Sequence, residues 1–174
     1  ISNLQSALCS LFIVSLFIFR IAYLDQTETI FRYTKINSLP NPALINFGDH
    51  LELMGFTTPP TTLSSGGTLD FTLYWRGINL PMTEDYSVTV QMADRFGNRF
   101  GQSDTEHPDL IPTSHWRATE YAHDVHHLRT LAGVPPGEYR LLLSVHRKGI
   151  PLSIMRDGVP NGVEYELSKV IITR

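Results

Sequence analysis

Residues 68–76 read TLDFTLYWR. Leu69, Phe71, Leu73 and Trp75 alternate with Asp70, Thr72, Tyr74 and Arg76, the two-residue period of a strand buried on one face. Four large apolar side chains on one side, each contributing roughly 1.5–3 kcal/mol when buried, predict a central strand. Its neighbours read the same way. His50–Phe56 (HLELMGF) sets Leu51, Leu53 and Gly55 against Glu52 and Met54, and a turn-rich stretch with Pro59, Pro60, Gly66 and Gly67 follows. Tyr86–Met92 places Tyr86, Val88, Val90 and Met92 on one face, and Asp94–Gly97 turns the chain into Arg99–Ser103. A long loop from Asp104 to Ala118 precedes a strand over Glu120–Leu128; Glu138–His146, Leu152–Met155 and Tyr165–Ile172 complete the set. About eight strands at this spacing, with no soluble helix between them, predict an all-β, antiparallel two-sheet sandwich, immunoglobulin-like or jelly-roll-like, over residues 45–174.

The first 24 residues read differently. Ile1–Phe19 carries no charged side chain, and Leu8–Phe19 is almost continuously apolar. Extended through Leu24, the run approaches the roughly 20 residues that cross a hydrocarbon core. Arg20 and Tyr23 suit the headgroup boundary at its end. A signal peptide would have a basic start and a small-residue cleavage site, and neither is present. The expectation is a transmembrane helix over 1–24 and a connector over 25–44, where Pro40 and Pro42 favour extended backbone. Arg20, Arg32 and Lys35 all follow the helix, which by the positive-inside rule alone would put the β domain in the cytoplasm.

Composition removes several function classes. In 174 residues only 18% are charged and the net charge is −3, which is no footprint for nucleic acid. The single cysteine, Cys9, excludes an internal disulfide and a thiolate metal cluster.

The stretches FGDHLELMGF, GGTLDFTLYWRG, DYSVTVQMAD, IPTSHWRATE and PPGEYRLLLSVH occur here in that order. On them the chain resembles the β-sandwich domain that follows the last membrane helix of many bacterial polytopic glycosyltransferases of the dolichyl-phosphate-mannose mannosyltransferase-like type. The resemblance covers roughly Ile45 to Arg174. It implies an extracytoplasmic domain on the bacterial cell membrane, against the charge signal, and we follow the resemblance. The catalytic acidic residues of those enzymes lie in their membrane part, so no catalytic residue carries over to this sequence.

Candidate sites are few. His123, Asp124, His126 and His127 look like metal ligands, but on a strand His123 and His127 share one face while Asp124 and His126 share the other. That leaves two ligands a side, short of the usual three or four, although His107 and His115 on the loop before could complete such a site. No metal and no cofactor is expected, and no G-x-S-x-G elbow is present. His115, Trp116 and Arg117 form a candidate ligand or partner surface, because an exposed aromatic beside polar donors can stack on a sugar. The alternative, which we prefer, has Trp116 closing one end of the core. Ser6 and Ser10, four residues apart, make a stripe on which a second membrane helix could dock. The expected function is therefore a non-enzymatic, membrane-anchored accessory subunit of a larger membrane complex, respiratory or photosynthetic for example. Its partners would be other membrane protein subunits and the lipid bilayer. The alternatives are a glycan- or acceptor-binding C-terminal domain of a membrane glycosyltransferase, and a pilin-like filament subunit. The length of the intact gene product separates the first two.

Overall fold

The computed structural model describes residues 11–16, 18, 32–33, 39–117 and 121–173. Among the described residues thirteen strands are formed: β1 (Arg32–Tyr33), β2 (Pro42–Phe47), β3 (Leu51–Phe56), β4 (Thr62–Ser64), β5 (Thr68–Gly77), β6 (Ser87–Ala93), β7 (Arg99–Thr105), β8 (Tyr121–Thr130), β9 (Gly137–Arg147), β10 (Ile150–Pro151), β11 (Ile154–Arg156), β12 (Val159–Pro160) and β13 (Tyr165–Thr173). Seven of the strands read from the sequence are β3, β5, β6, β7, β8, β9 and β13; Leu152–Met155 corresponds to the three-residue β11, and β2 is not among the strands the sequence predicts. The strands hydrogen-bond in the order β12-β11-β2-β3-β5-β8-β7-β6-β9-β13-β4, with β1 added beside β8 and β10 beside β9. Every pairing is antiparallel except β13 with β4.

The alternation in β5 is realised as expected. Leu69, Phe71, Leu73 and Trp75 are at most 3% exposed, while Asp70 and Arg76 face solvent. Val88, Val90 and Met92 on β6 and Leu141, Leu143 and Val145 on β9 are fully buried in the same core. β3 departs from strict alternation. Its register against β5 shifts between Leu53 and Gly55, so Met54 and Phe56 are both buried. A bulge inserts one residue and changes the phase of the strand. At Gly55 the partner backbone comes so close that a Cβ would lie 2.6 Å from the carbonyl oxygen of Pro40.

The all-β, largely antiparallel architecture agrees with the sequence. The hydrogen bonding, however, does not divide into two sheets: it runs unbroken from β8 into β7. That junction is narrow, carried by the pairs Gly101↔Thr130 and Gln102↔Arg129 and by the Leu131 N–H donating to the Phe100 carbonyl oxygen at 2.7 Å. Glycine permits it, because a Cβ on Gly101 would sit 2.7 Å from Leu128 Cδ2 and 3.0 Å from the Arg129 carbonyl oxygen. Beyond the junction β8 is joined instead by β1, through Arg32↔Ala122 and Tyr33↔Tyr121. A flat sheet would leave one face of these strands open, yet Trp75, Val90 and Leu143 are fully buried. The sheet is therefore curled around its own core. β1 and the start of β2 also draw residues of the expected connector into the sheet.

Two 3-10 turns, Pro108–Leu110 and Thr113–His115, interrupt the crossing from β7 to β8. Near the N-terminus residues 11–16 and 18 are helical, with large apolar side chains exposed. Among the described residues no helix is long and apolar enough to cross a membrane. Most of the expected span over 1–24, including Ser6 and Ser10, lies outside the described residues.

Candidate functional site

The loop that carries His115, Trp116 and Arg117 is pinned from below. Thr113 is fully buried, and its Oγ1 accepts the Tyr86 backbone N–H at 3.0 Å. The Ser114 N–H donates to Asp85 Oδ1 at 2.9 Å. Burial by itself would raise the Asp85 carboxyl, but the hydrogen bonds from Ser114 outweigh it and hold the group below its ordinary value. These bonds fix the loop across one end of the core. Trp116 points inward there: it is 5% exposed, and its indole N–H donates to the Ile111 carbonyl oxygen at 3.2 Å. The ring is not offered to a ligand, so Trp116 is corrected from a candidate stacking residue to a core residue. The reason is the apolar area a tryptophan removes from water when it closes a core. His115 and Arg117, on either side, are exposed.

The histidines on β8 divide as the strand period requires. His123 and His127 face out, while Asp124 and His126 face in, at 1% and 0% exposure. His127 Nδ1 lies 2.7 Å from Asp70 Oδ1 on the neighbouring β5. His123 meets Tyr74 edge-on with ring centres 4.6 Å apart, and burial pushes its pKa down. No group of three His, Cys, Asp or Glu side chains able to hold a metal exists among the described residues.

The inward pair makes a cluster that the sequence did not announce. His126 Nε2 lies 2.9 Å from Asp124 Oδ2, and its Nδ1 lies 3.0 Å from Ser103 Oγ on β7. Thr105 Oγ1 donates to the same carboxylate oxygen at 3.2 Å, and the imidazole stacks on Phe71 at 5.2 Å. Serine, histidine and aspartate in a chain are the parts of a nucleophile relay. In the hydrolase relay the serine meets Nε2 and the carboxylate meets Nδ1; here the two nitrogens are exchanged. The cluster lies where the β7–β8 ladder has ended, so side chains span the seam that backbone bonds leave open. The only sequence signal was alternation, which puts Asp124 with His126 and Ser103 with Thr105; nothing local pairs β7 with β8.

A cleft of about 550 Å³ lies on the opposite, outward surface of β6, β7 and β9. Its floor is Ser87, Thr89 and Gln91 from β6 and Ser144 and His146 from β9. The strand pairs Ser87↔His146 and Thr89↔Ser144 set these side chains abreast. Gln102 and Arg99 close it on the β7 side, while Pro151, Val163 and Glu164 form the far rim. Gln91 Nε2 donates to Gln102 Oε1 at 3.1 Å; Gln102 Nε2 and Thr89 Oγ1 each donate to Asp104, at 2.6 and 2.7 Å. Although they point away from the core, Gln91 and Ser144 are each only 8% exposed. A second cleft, about 560 Å³, lies at the sheet edge by Leu44, Ile154 and Tyr165. Neither cleft is lined by Ser103, His126 or Asp124.

No family model matches the chain, and no curated protein matches it. Among solved structures it is similar to the CARDB domain of a Pyrococcus furiosus protein in complex with di-metal ions. The similarity covers 81% of this chain and 98% of that one, at 11% sequence identity and a TM-score of 0.40. A likeness that distant carries no argument.

Proposed function

We propose that the chain is a non-catalytic β domain held at a bacterial membrane by its N-terminal helix and docked on a larger membrane assembly. The observation that supports this is the exposure of a continuous apolar surface. Leu11, Phe12, Ile13, Val14, Leu16 and Ile18 are all helical and 51–66% exposed. At 100° per residue such a run points in every direction around the helix, and a helix apolar all round belongs in lipid or among other helices. Within the β domain the curled sheet acts as a two-layered sandwich, its halves meeting across one core. The Ser103–His126–Asp124 cluster serves as a fastener between those halves. The domain lies on the extracytoplasmic side.

The test is two measurements on the full chain. Flotation with lipid vesicles through a density gradient is expected to carry the protein up with the lipid; recovery at the bottom overturns the anchor. In mild detergent the chain from its native membrane is expected to migrate with a mass well above that of one copy. A monomer in a micelle overturns the docking.

A further inference from the structure

We propose that the cleft over β6, β7 and β9 is a binding site for a neutral saccharide. The idea is independent of the membrane anchor and rests on the outward surface of the sheet alone.

The solvent face of an ordinary sheet carries long charged side chains with their ends in water. Here the floor is short and polar: two hydroxyls on β6, one on β9, the Gln91 amide and the His146 imidazole. Gln91 and Ser144 are withdrawn from solvent as far as core residues are, without being in the core. Keeping polar groups so withdrawn costs free energy unless hydrogen bonds compensate. Gln91 has two N–H donors and an acceptor oxygen, and its bond to Gln102 uses one donor.

The chemistry of the lining selects among ligand classes. A polyanion would meet Glu164, with Asp104 bonded just behind the floor, as well as Arg99. An extended peptide could not add a strand, because the backbone of β6 is already paired with β7 on one side and β9 on the other. An apolar ligand would strand the amides and hydroxyls without partners. A sugar ring presents hydroxyls that both donate and accept, spaced for amide, hydroxyl, carboxylate and guanidinium partners, all of which are present. Its C–H face finds Pro151 and Val163 on the rim. At about 550 Å³ the cleft also falls among small-ligand sites in size.

The experiment is calorimetric titration of the full chain, in a detergent whose headgroup is not a sugar. The probes are a mannose, a glucose and a galactose trisaccharide. At least one is expected to bind with a dissociation constant of about 1 mM or below. Gln91→Met keeps the volume but removes the amide, and Ser144→Ala removes a hydroxyl; each is expected to weaken that binding about tenfold. Should Gln91→Met melt early, Arg99→Ala and Glu164→Ala, both at the exposed rim, carry the same test. Glu138→Ala, on β9 but outside the cleft, is expected to leave binding unchanged. Failure of all three sugars to bind, or binding that the cleft substitutions leave intact, overturns the proposal.

Discussion

The two halves of the curled sheet turn different surfaces to solvent. Outward from β5 and β8 stand polar pairs: Asp70 with His127 at 2.7 Å, both well exposed, and the exposed Arg76 reaching the largely covered Glu52 on β3 at 2.5 Å. Outward from β6 and β9 stand hydroxyls and an amide, recessed below a rim. Both halves follow the same two-residue alternation, so the period does not make the difference. Cover does. Pro151 of β10 and residues 163–164 border the cleft over β6 and β9, whereas neither of the two clefts described above is lined by the outward residues of β5. The position of a polar side chain on a strand fixes its face, and distant segments decide whether that face is water or a site.

The largest expected effect tests whether the halves share one interior. Trp75→Ala on one half should cost about 3–5 kcal/mol and Leu143→Ala on the other about 2–5 kcal/mol, read as shifts of a single urea transition. Two separate transitions, or a shift from only one substitution, would mean that each half has its own core.

Next in size is the fastener. His126→Ala leaves the buried Asp124 and the half-buried Ser103 without their shared partner, at an expected cost of about 1–3 kcal/mol. Thr105→Val removes only the weaker contact to Asp124 and should cost less. Equal losses from the two changes would show that the imidazole does not hold the seam.

A smaller effect appears in the pH dependence of the outward face. Burial lowers the pKa of His123 from the ordinary value of 6.5. Below 6.5 the unfolded chain therefore takes up a proton that the folded chain resists, and stability falls as the pH drops through that window. Melting temperatures from pH 7 down to pH 5 should decline less steeply in His123→Phe, which keeps a ring against Tyr74. Parallel curves for the two proteins would remove His123 as a cause. The smallest effect belongs to the open pair: Asp70→Asn should cost under about 1 kcal/mol. A larger loss would make the two outward faces more alike than their exposure suggests.

Much of this was legible in the chain. TLDFTLYWR gave the face of β5, and the alternation of YAHDVHHLRT placed His123 and His127 opposite Asp124 and His126. The phase change in β3 was hidden, because a bulge at Met54 depends on how β5 pairs and leaves no mark in six residues. The continuity of β7 with β8 was hidden for the same reason: it turns on a close approach at Gly101, which reads in sequence as one more glycine. Trp116 looked the same whether stacked on a sugar or buried in a core, and only the anchoring of Thr113 and Ser114 decides. Ser87, Thr89 and Gln91 read as an ordinary wet face, because the residues that cover them lie about sixty to seventy-five positions later.

The place of β13 in the sheet has a consequence for how the chain comes off the ribosome. β13 is the last of the strands to be made, yet it lies between β9 and β4, and its pairs Ile171↔Thr62 and Thr173↔Ser64 join residues more than a hundred positions apart. β5 likewise waits for β8. During synthesis β3 and β5 can form a hairpin early, but the margin of β4 has no neighbour until nearly the whole domain has emerged. Such distant pairings put closure late and make assembly slow. For that interval the growing domain carries an open, hydrogen-bonding border, exposed to the border of another copy until β13 arrives.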